Sequence, residues 1–219
     1  MQRLFDILLS TAAIIVLSPI LIIVIFILKI SGEGEIFYKQ IRVGKGGSKF
    51  GVLKFATMLK NSPNIGSGEI TLKNDPRVLP FGKFLRKSKI NELPQLFNIL
   101  LGQMSIVGPR PMVPNTYMFY DKSAQDILNK IRPGLTGIGS IIFRDEEKFL
   151  ENKEDPVDFY RKYIIPYKSS LEVWYVNNSS LLMYFKCIIA TVIIVLFPKT
   201  RSHLKFFTGM PKIPSNLNI

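Results

Sequence analysis

The chain has 219 residues, 47% of them hydrophobic, with a formal charge of +13 and a mean hydropathy of +0.21. That length accommodates one compact domain plus a membrane element, and so apolar a composition excludes simple disorder. With one cysteine, Cys187, and one histidine, His203, the chain can build no intrachain disulfide, no histidine-based catalytic triad and no multi-histidine zinc site.

The basic excess implies an anionic partner, and the hydrophobicity turns the choice from nucleic acid toward lipid headgroups or a phosphorylated substrate. Fifteen Lys and Arg face six Asp and Glu in residues 1 to 110, so the excess is concentrated in the first half. A lone thiol in an apolar run suits a reducing compartment.

Leu4 to Ile30 is long and apolar enough for a membrane helix. No small-residue cleavage site follows Lys29, so the segment reads as retained rather than as a signal peptide. Ser18-Pro19 falls at its middle, where proline removes a backbone hydrogen bond. Two geometries follow: an ordinary kinked span, or a re-entrant hairpin that leaves Arg3 and Lys29 on one face. In both, the positive-inside tendency puts the basic bulk in the cytoplasm.

"GEIFYKQIRVGKGGSKFGVLKF" alternates apolar and polar residues about a glycine-rich turn, which predicts a β-hairpin with Gly44, Gly46 and Gly47 shaping the turn. The spacing is not that of a phosphate-binding loop. Asn61 to Thr71 has loop composition. The basic run Lys83 to Lys89 fits a cationic face on anionic headgroups, each charge contributing about 1 kcal/mol there.

Leu93, Leu96, Phe97 and Leu100 recur at helical spacing after Pro94 and are expected in the core. "DKSAQDILNKI" reads as a short helix, "RPGLTGIGS" as a turn, and "RDEEKFLENKEDPVDFYRKYI" as a solvated acidic helix or pair of helices. Leu181 to Phe197 is a last apolar run with Asn178, Ser179 and Ser180 as candidate caps, either an interfacial helix or a second crossing.

The chemistry gathers around Ile90 to Pro111, "INELPQLFNILLGQMSIVGPRP". Arg110 between two prolines and Arg77 in "DPR" offer guanidinium forks of the kind that grip phosphate. Glu92 lies between them in sequence. A carboxylate in a basic site suits Mg²⁺, which takes one or two carboxylates plus phosphate oxygens.

The motifs "RLFDILLS", "LSPI", "FYKQIRVGKGG", "LKFATM", "NDPRVLPFGKFLRK", "NELPQLFNILLGQMSIVGPRP" and "RPGLTG", in this order, resemble the bacterial sugar transferase family over nearly the whole chain. These are monotopic phosphoglycosyl transferases, which move a sugar 1-phosphate from a nucleoside diphosphate sugar to a polyprenyl phosphate. The resemblance implies an α/β, membrane-associated protein of the small catalytic-module type. It would have a re-entrant helix broken at Ser18-Pro19 (residues 1–31) and a small, mostly helical cytoplasmic domain with a β-hairpin and interfacial amphipathic helices (32–200). A basic tail (201–219) would follow.

It further implies Mg²⁺ held by Glu92, a UDP-sugar donor, undecaprenyl phosphate as acceptor, membrane lipids and later glycosyltransferases as partners, no nucleic acid, and residence at the cytoplasmic face of a bacterial inner membrane. Lys54, Gln40 and Arg42 match family positions near the active face, beside Arg77 and Arg110.

The family mechanism uses an Asp-Glu pair before "LPQL", the aspartate attacking the sugar-bearing phosphorus. Here the pair is Asn91-Glu92, and Ala56 in "KFATM" stands where the family commonly has arginine. Three accounts follow. Glu92 or another carboxylate, Asp145 among them, attacks; the lipid phosphate attacks directly while Mg²⁺, Arg77 and Arg110 align both substrates; or the protein is inactive, as an Asp-to-Asn variant or as a catalytically silent membrane scaffold of a glycan-assembly pathway.

Overall fold

A computed structural model describes residues 1–65, 75–144, 146–150, 153, 155–197, 200, 202–214 and 217. It is mostly helical, with one long apolar N-terminal helix and two small two-stranded sheets.

The first helix, α1, runs from Gln2 to Ile30 and continues through Ser18-Pro19. The missing N–H of Pro19 would orphan the carbonyl of Ile15, four residues back. The Ser18 hydroxyl donates to that carbonyl at 2.8 Å, so the turn keeps a partner where the ring removes one.

Both ends of α1 are fastened to the same domain. At the N-terminal end the Gln2 amide donates to Ser105 Oγ at 3.0 Å, and Arg3 donates to the carbonyls of Ile99 at 2.5 Å and Leu100 at 2.8 Å. One turn on, buried Asp6 accepts from Ser105 Oγ and the Ile106 N–H, both at 2.9 Å, and from the Tyr184 hydroxyl at 3.0 Å. At the other end Leu21, Val24 and Leu28 pack with Phe55 and Leu85. Ile15, Val16, Ile22, Ile23 and Phe26 remain exposed on the outer face.

The hairpin forms as the alternation predicts: β1 (Phe37–Val43) pairs antiparallel with β2 (Lys49–Phe55), Phe37 opposite Phe55 and Val43 opposite Lys49. Gly46 and Gly47 take φ of 70° and 73°, a region that glycine enters without steric penalty. Two helices follow, α2 (Pro80–Lys87) and α3 (Gln95–Leu100), each preceded or begun by a proline whose fixed φ suits a helix start.

In α3 the apolar spacing misleads in part. Leu96 and Ile99 are buried, but Phe97 is exposed, and Gln95 and Asn98 are the polar residues turned inward. Asn98 Oδ1 accepts from the Leu53 N–H at 2.9 Å and its amide donates to the Gly51 carbonyl at 2.8 Å. Those bonds satisfy the open edge of β2, which an apolar side chain could not do.

Next come β3 (Ser105–Val107), α4 (Pro114–Tyr117), α5 (Lys122–Leu128) and β4 (Gly134–Thr136). β3 and β4 pair in parallel, Ser105 opposite Gly134 and Val107 opposite Thr136. The segment read as a turn, "RPGLTGIGS", is therefore a strand leading into α6 (Ile138–Ile142).

The acidic region yields α7 (Glu147–Leu150) and α8 (Pro156–Phe159), then a π-helical turn at Tyr160–Ile164 opens onto α9 (Ile165–Asn177). Ser180 caps α10 (Leu181–Leu196), accepting from the Met183 N–H at 3.1 Å. Tyr184, Cys187, Ala190 and Ile194 form its buried stripe, so α10 packs on the main core. Phe207 and Leu217, from the segment expected as a basic tail, also enter that core. Asp145, residues 66–71 of the expected loop and the side chain of His203 lie outside the described residues.

Candidate active site

Glu92 is carried on a short 3₁₀ turn, Ile90–Glu92. Lys89, the one non-glycine residue with positive φ (61°) among those described, reverses the chain after α2 and sets that turn beneath the hairpin. Arg110 arrives from the loop that leaves β3.

That loop is fixed one residue at a time. Gly134 N–H donates to the Pro109 carbonyl at 2.8 Å, Glu172 Oε1 accepts from the Arg110 N–H at 3.1 Å, and Arg42 donates to the Pro111 carbonyl at 3.0 Å. A β-carbon on Gly134 would lie 2.1 Å from the Gly108 nitrogen, so loop and strand approach closely only because both residues lack one.

Thus placed, Arg110 Nη2 donates to Glu92 Oε1 at 3.0 Å, and Lys54 Nζ from β2 stands 3.6 Å from the same oxygen. Burial alone would raise the Glu92 carboxyl, but the charges of Arg110 and Lys54 outweigh it and hold the group well below the usual carboxylate range. Burial pushes the Lys54 ammonium down to about 7 against the pull of Glu92, with Arg110, Arg42 and Arg86 adding to the fall. The charge of Glu92 raises Arg110 further. The result is an ionised carboxylate flanked by the Arg110 cation and by a Lys54 amine poised near neutrality, a cluster that can accept a phosphoryl anion as a further partner.

The structure thereby brings together Glu92, Arg110 and Lys54. Arg42 Nη2 donates to Gln40 Oε1 at 2.5 Å, and both side chains belong to the strand that supports the Arg110 loop. Arg77 is placed with Asp75 instead. Its Nη2 lies 2.5 Å from Asp75 Oδ2 and its Nε 2.8 Å from Oδ1, while Nη1 donates to the carbonyls of Ser62 and Ile65. An Asp two residues before the Arg saturates the fork locally, and the pair ties down the 59–65 turn.

Asn91 is buried, and its Oδ1 has no hydrogen-bond partner among the described residues. An orphaned amide oxygen on the same short turn as an ionised carboxylate is a donor set of the kind a hard cation takes, completed by water or phosphate oxygens. Among the described residues no group of three or more His, Cys, Asp or Glu side chains could hold a metal by itself.

Sequence reasoning missed Glu172, Lys168 and Glu146. Glu172 and Lys168 are buried on α9, and Lys168 pairs with Glu146 at 2.7 Å. The spacing of Lys168 and Glu172 resembles an exposed i,i+4 pair, so nothing in the pattern marks them as interior.

The family described as bacterial sugar transferase matches residues 1–198. The exopolysaccharide production protein ExoY of Sinorhizobium fredii is 40% identical over 162 residues, 68% of this chain and 71% of that protein. The exopolysaccharide production protein PSS of Rhizobium leguminosarum bv. phaseoli is 33% identical over 198 residues, 88% of this chain and 94% of that one. The UDP-glucose:undecaprenyl-phosphate glucose-1-phosphate transferase of Klebsiella pneumoniae is 37% identical over 168 residues, 74% of this chain but 36% of the longer relative. With nearly its whole length matched, the chain belongs to the bacterial sugar transferase family.

Proposed function

We propose that the chain transfers a sugar 1-phosphate from a UDP-sugar to undecaprenyl phosphate, the first membrane-bound step of exopolysaccharide or related glycan assembly. The observation that carries this reading is the convergence of Lys54, Glu92 and Arg110 on one half-buried point. The names of the relatives, which include UDP-glucose:undecaprenyl-phosphate transferases, support the substrate classes.

The chemistry exchanges one phosphorus–oxygen bond for another. An oxygen of the lipid phosphate forms a bond to the sugar-bearing phosphorus, the pyrophosphate bond breaks, and uridine monophosphate leaves. Arg110 and Lys54 hold the pyrophosphate oxygens in line and offset the charge that builds on the leaving phosphate. Glu92 and the Asn91 amide oxygen would hold Mg²⁺, whose chemistry when bound is neutralisation of phosphate charge.

We favour direct attack over a covalent route. The Asn91 amide cannot ionise, and Glu92 is so strongly stabilised as an anion by Arg110 and Lys54 that it makes a weak nucleophile.

Both ends of α1 are bound to one domain, which supports a helix that enters and leaves a single leaflet; a bend at Ser18-Pro19 would belong to the membrane-bound state, since α1 here runs unbroken through that pair. A 29-residue helix is about 43 Å long, and a crossing would carry one end to the far side of the bilayer. The exposed Phe84, Phe97 and Leu101 and the bases of α2 would rest on the headgroups at the cytoplasmic face of the inner membrane. Residues 32–200 would form the catalytic body and recruit later glycosyltransferases.

The test is turnover. Purified protein with Mg²⁺, undecaprenyl phosphate and a panel of UDP-sugars should release uridine monophosphate; folded protein that releases none across the panel overturns the reading. The buried, unreactive Asn91 favours a second reading, a silent scaffold, and in that case cellular complementation would survive Glu92→Gln.

A further inference from the structure

Arg110 sits between two prolines, and neither proline has an N–H. Its own amide is therefore the single backbone donor of the Pro109–Pro111 stretch, and that donor goes to Glu172 Oε1 at 3.1 Å. The other two anchors of the loop are made at the carbonyls of Pro109 and Pro111.

Glu172 is an unusual group to bury. It is 2% exposed, its Oε2 has no partner among the described residues, and it lines a cavity of about 30 Å³ together with Pro109, Pro111 and Tyr120. Burial pushes its carboxyl up to about 7. Lys168, one turn earlier, is committed to Glu146 rather than to Glu172. Room for the carboxyl is made at Gly139, where a β-carbon would lie 2.2 Å from Oε1. An apolar side chain would fill the same space without the desolvation penalty of an acid. What an apolar residue could not do is accept the Arg110 amide.

We propose that Glu172 is a positioning residue for Arg110: by anchoring the amide from behind, it sets the guanidinium beside Glu92 to receive a phosphoryl anion. This rests on the transferase reading only for the identity of that anion. The guanidinium touches the anion; Glu172 acts through it.

The test is a double-mutant cycle read by calorimetric binding of inorganic pyrophosphate to the full chain in nanodiscs. Glu172→Leu is expected to weaken binding about tenfold, the scale of one lost hydrogen bond that orients a charged group. Glu172→Gln, which keeps an acceptor, should stay within about threefold of the native chain. On an Arg110→Ala background Glu172→Leu should have no further effect, because the group it positions is gone. Full binding by Glu172→Leu, an undiminished effect on the Arg110→Ala background, or no pyrophosphate binding by the native chain would each overturn the proposal. Should Glu172→Leu not fold, Glu172→Met replaces it, and amide exchange at Arg110 gives a second reading: protection in the native chain and in Glu172→Gln, loss in Glu172→Met. Exchange that is equally fast in all three overturns it. A native chain that binds pyrophosphate through Arg110 yet turns over no UDP-sugar would sink the transferase reading and leave the cycle decisive for Glu172.

Discussion

Tyr184 donates its hydroxyl to Asp6 Oδ1 at 3.0 Å across 178 positions of sequence, joining the long N-terminal helix α1 to the last core helix, α10. The same oxygen accepts from Ser105 and from the backbone of Ile106, so three donors depend on one buried carboxylate. α1 is thereby part of the folded domain rather than a tether attached to it.

Replacing Asp6 by Ala leaves those three donors without their acceptor, and buried unsatisfied groups cost about 1–3 kcal/mol each before relaxation. Asp6→Ala should lower stability by roughly 2–4 kcal/mol, while Tyr184→Phe, which removes one donor, should lower it by about 1 kcal/mol. Denaturant unfolding in detergent measures both; equal effects would show that Tyr184 is the sole partner of consequence.

The Arg110–Glu92 contact should resist conservative exchange. Lysine supplies a point charge but not a planar fork, so Arg110→Lys should lose turnover nearly as fully as Arg110→Ala, by about 10²-fold. Glu92→Gln, which keeps the shape and removes the charge that holds Arg110 and Lys54, should lose as much. Steady-state release of uridine monophosphate checks the pair, and a fully active Arg110→Lys would count against a two-pronged grip of Arg110 on the phosphate.

Asn91 decides the route. Incubated with UDP-sugar alone, the native chain should gain no mass, because the Asn91 amide cannot form the acyl phosphate that a carboxylate would. Asn91→Asp supplies a carboxylate at the same buried position and should accumulate a sugar-phosphate adduct. Intact-protein mass spectrometry reads both, and a native adduct that peptide mapping assigns to Glu92 would replace direct transfer with a covalent path.

Glu172 should leave a signature in stability against pH. Burial raises its carboxyl from 4.5 to about 7, with the Arg110 N–H and the charges of Lys168 and Arg110 opposing the rise, so the folded chain keeps a proton that the unfolded chain has released. The contribution is fully present below pH 4.5 and is lost as pH rises through about 7. At 1.36 kcal/mol per unit the swing is on the order of 3 kcal/mol. Glu172→Gln does not titrate, so relative to the native chain it should gain that amount between pH 4.5 and 8. Melting curves at the two pH values test it, and parallel profiles would show that Glu172 is not the titrating group.

Much of the frame is written locally. The alternation and glycines of residues 37–55 specify a hairpin, and the run from Leu4 to Ile30 specifies one long apolar helix. Ser180 specifies a cap, and the motif order specifies the family, because each of these depends on neighbours within a few residues or on matched strings. The candidate cluster was legible as residue types: Glu92, Arg110 and Lys54 were each expected near a phosphate, and the structure brings the three together.

Only the tertiary structure decided which charges meet. It gave Arg77 to Asp75, placed Glu172 behind Arg110, and set Asp6 under Tyr184. It also paired Ser105–Val107 with Gly134–Thr136, strands of three residues that are too short to carry a pattern. The physical reason is that desolvation and Coulomb energy depend on what the chain brings close in space, and the partners here stand up to 178 positions apart. Spacing along a sequence says where a charge begins; packing says whether it is paired, buried or left to meet a substrate.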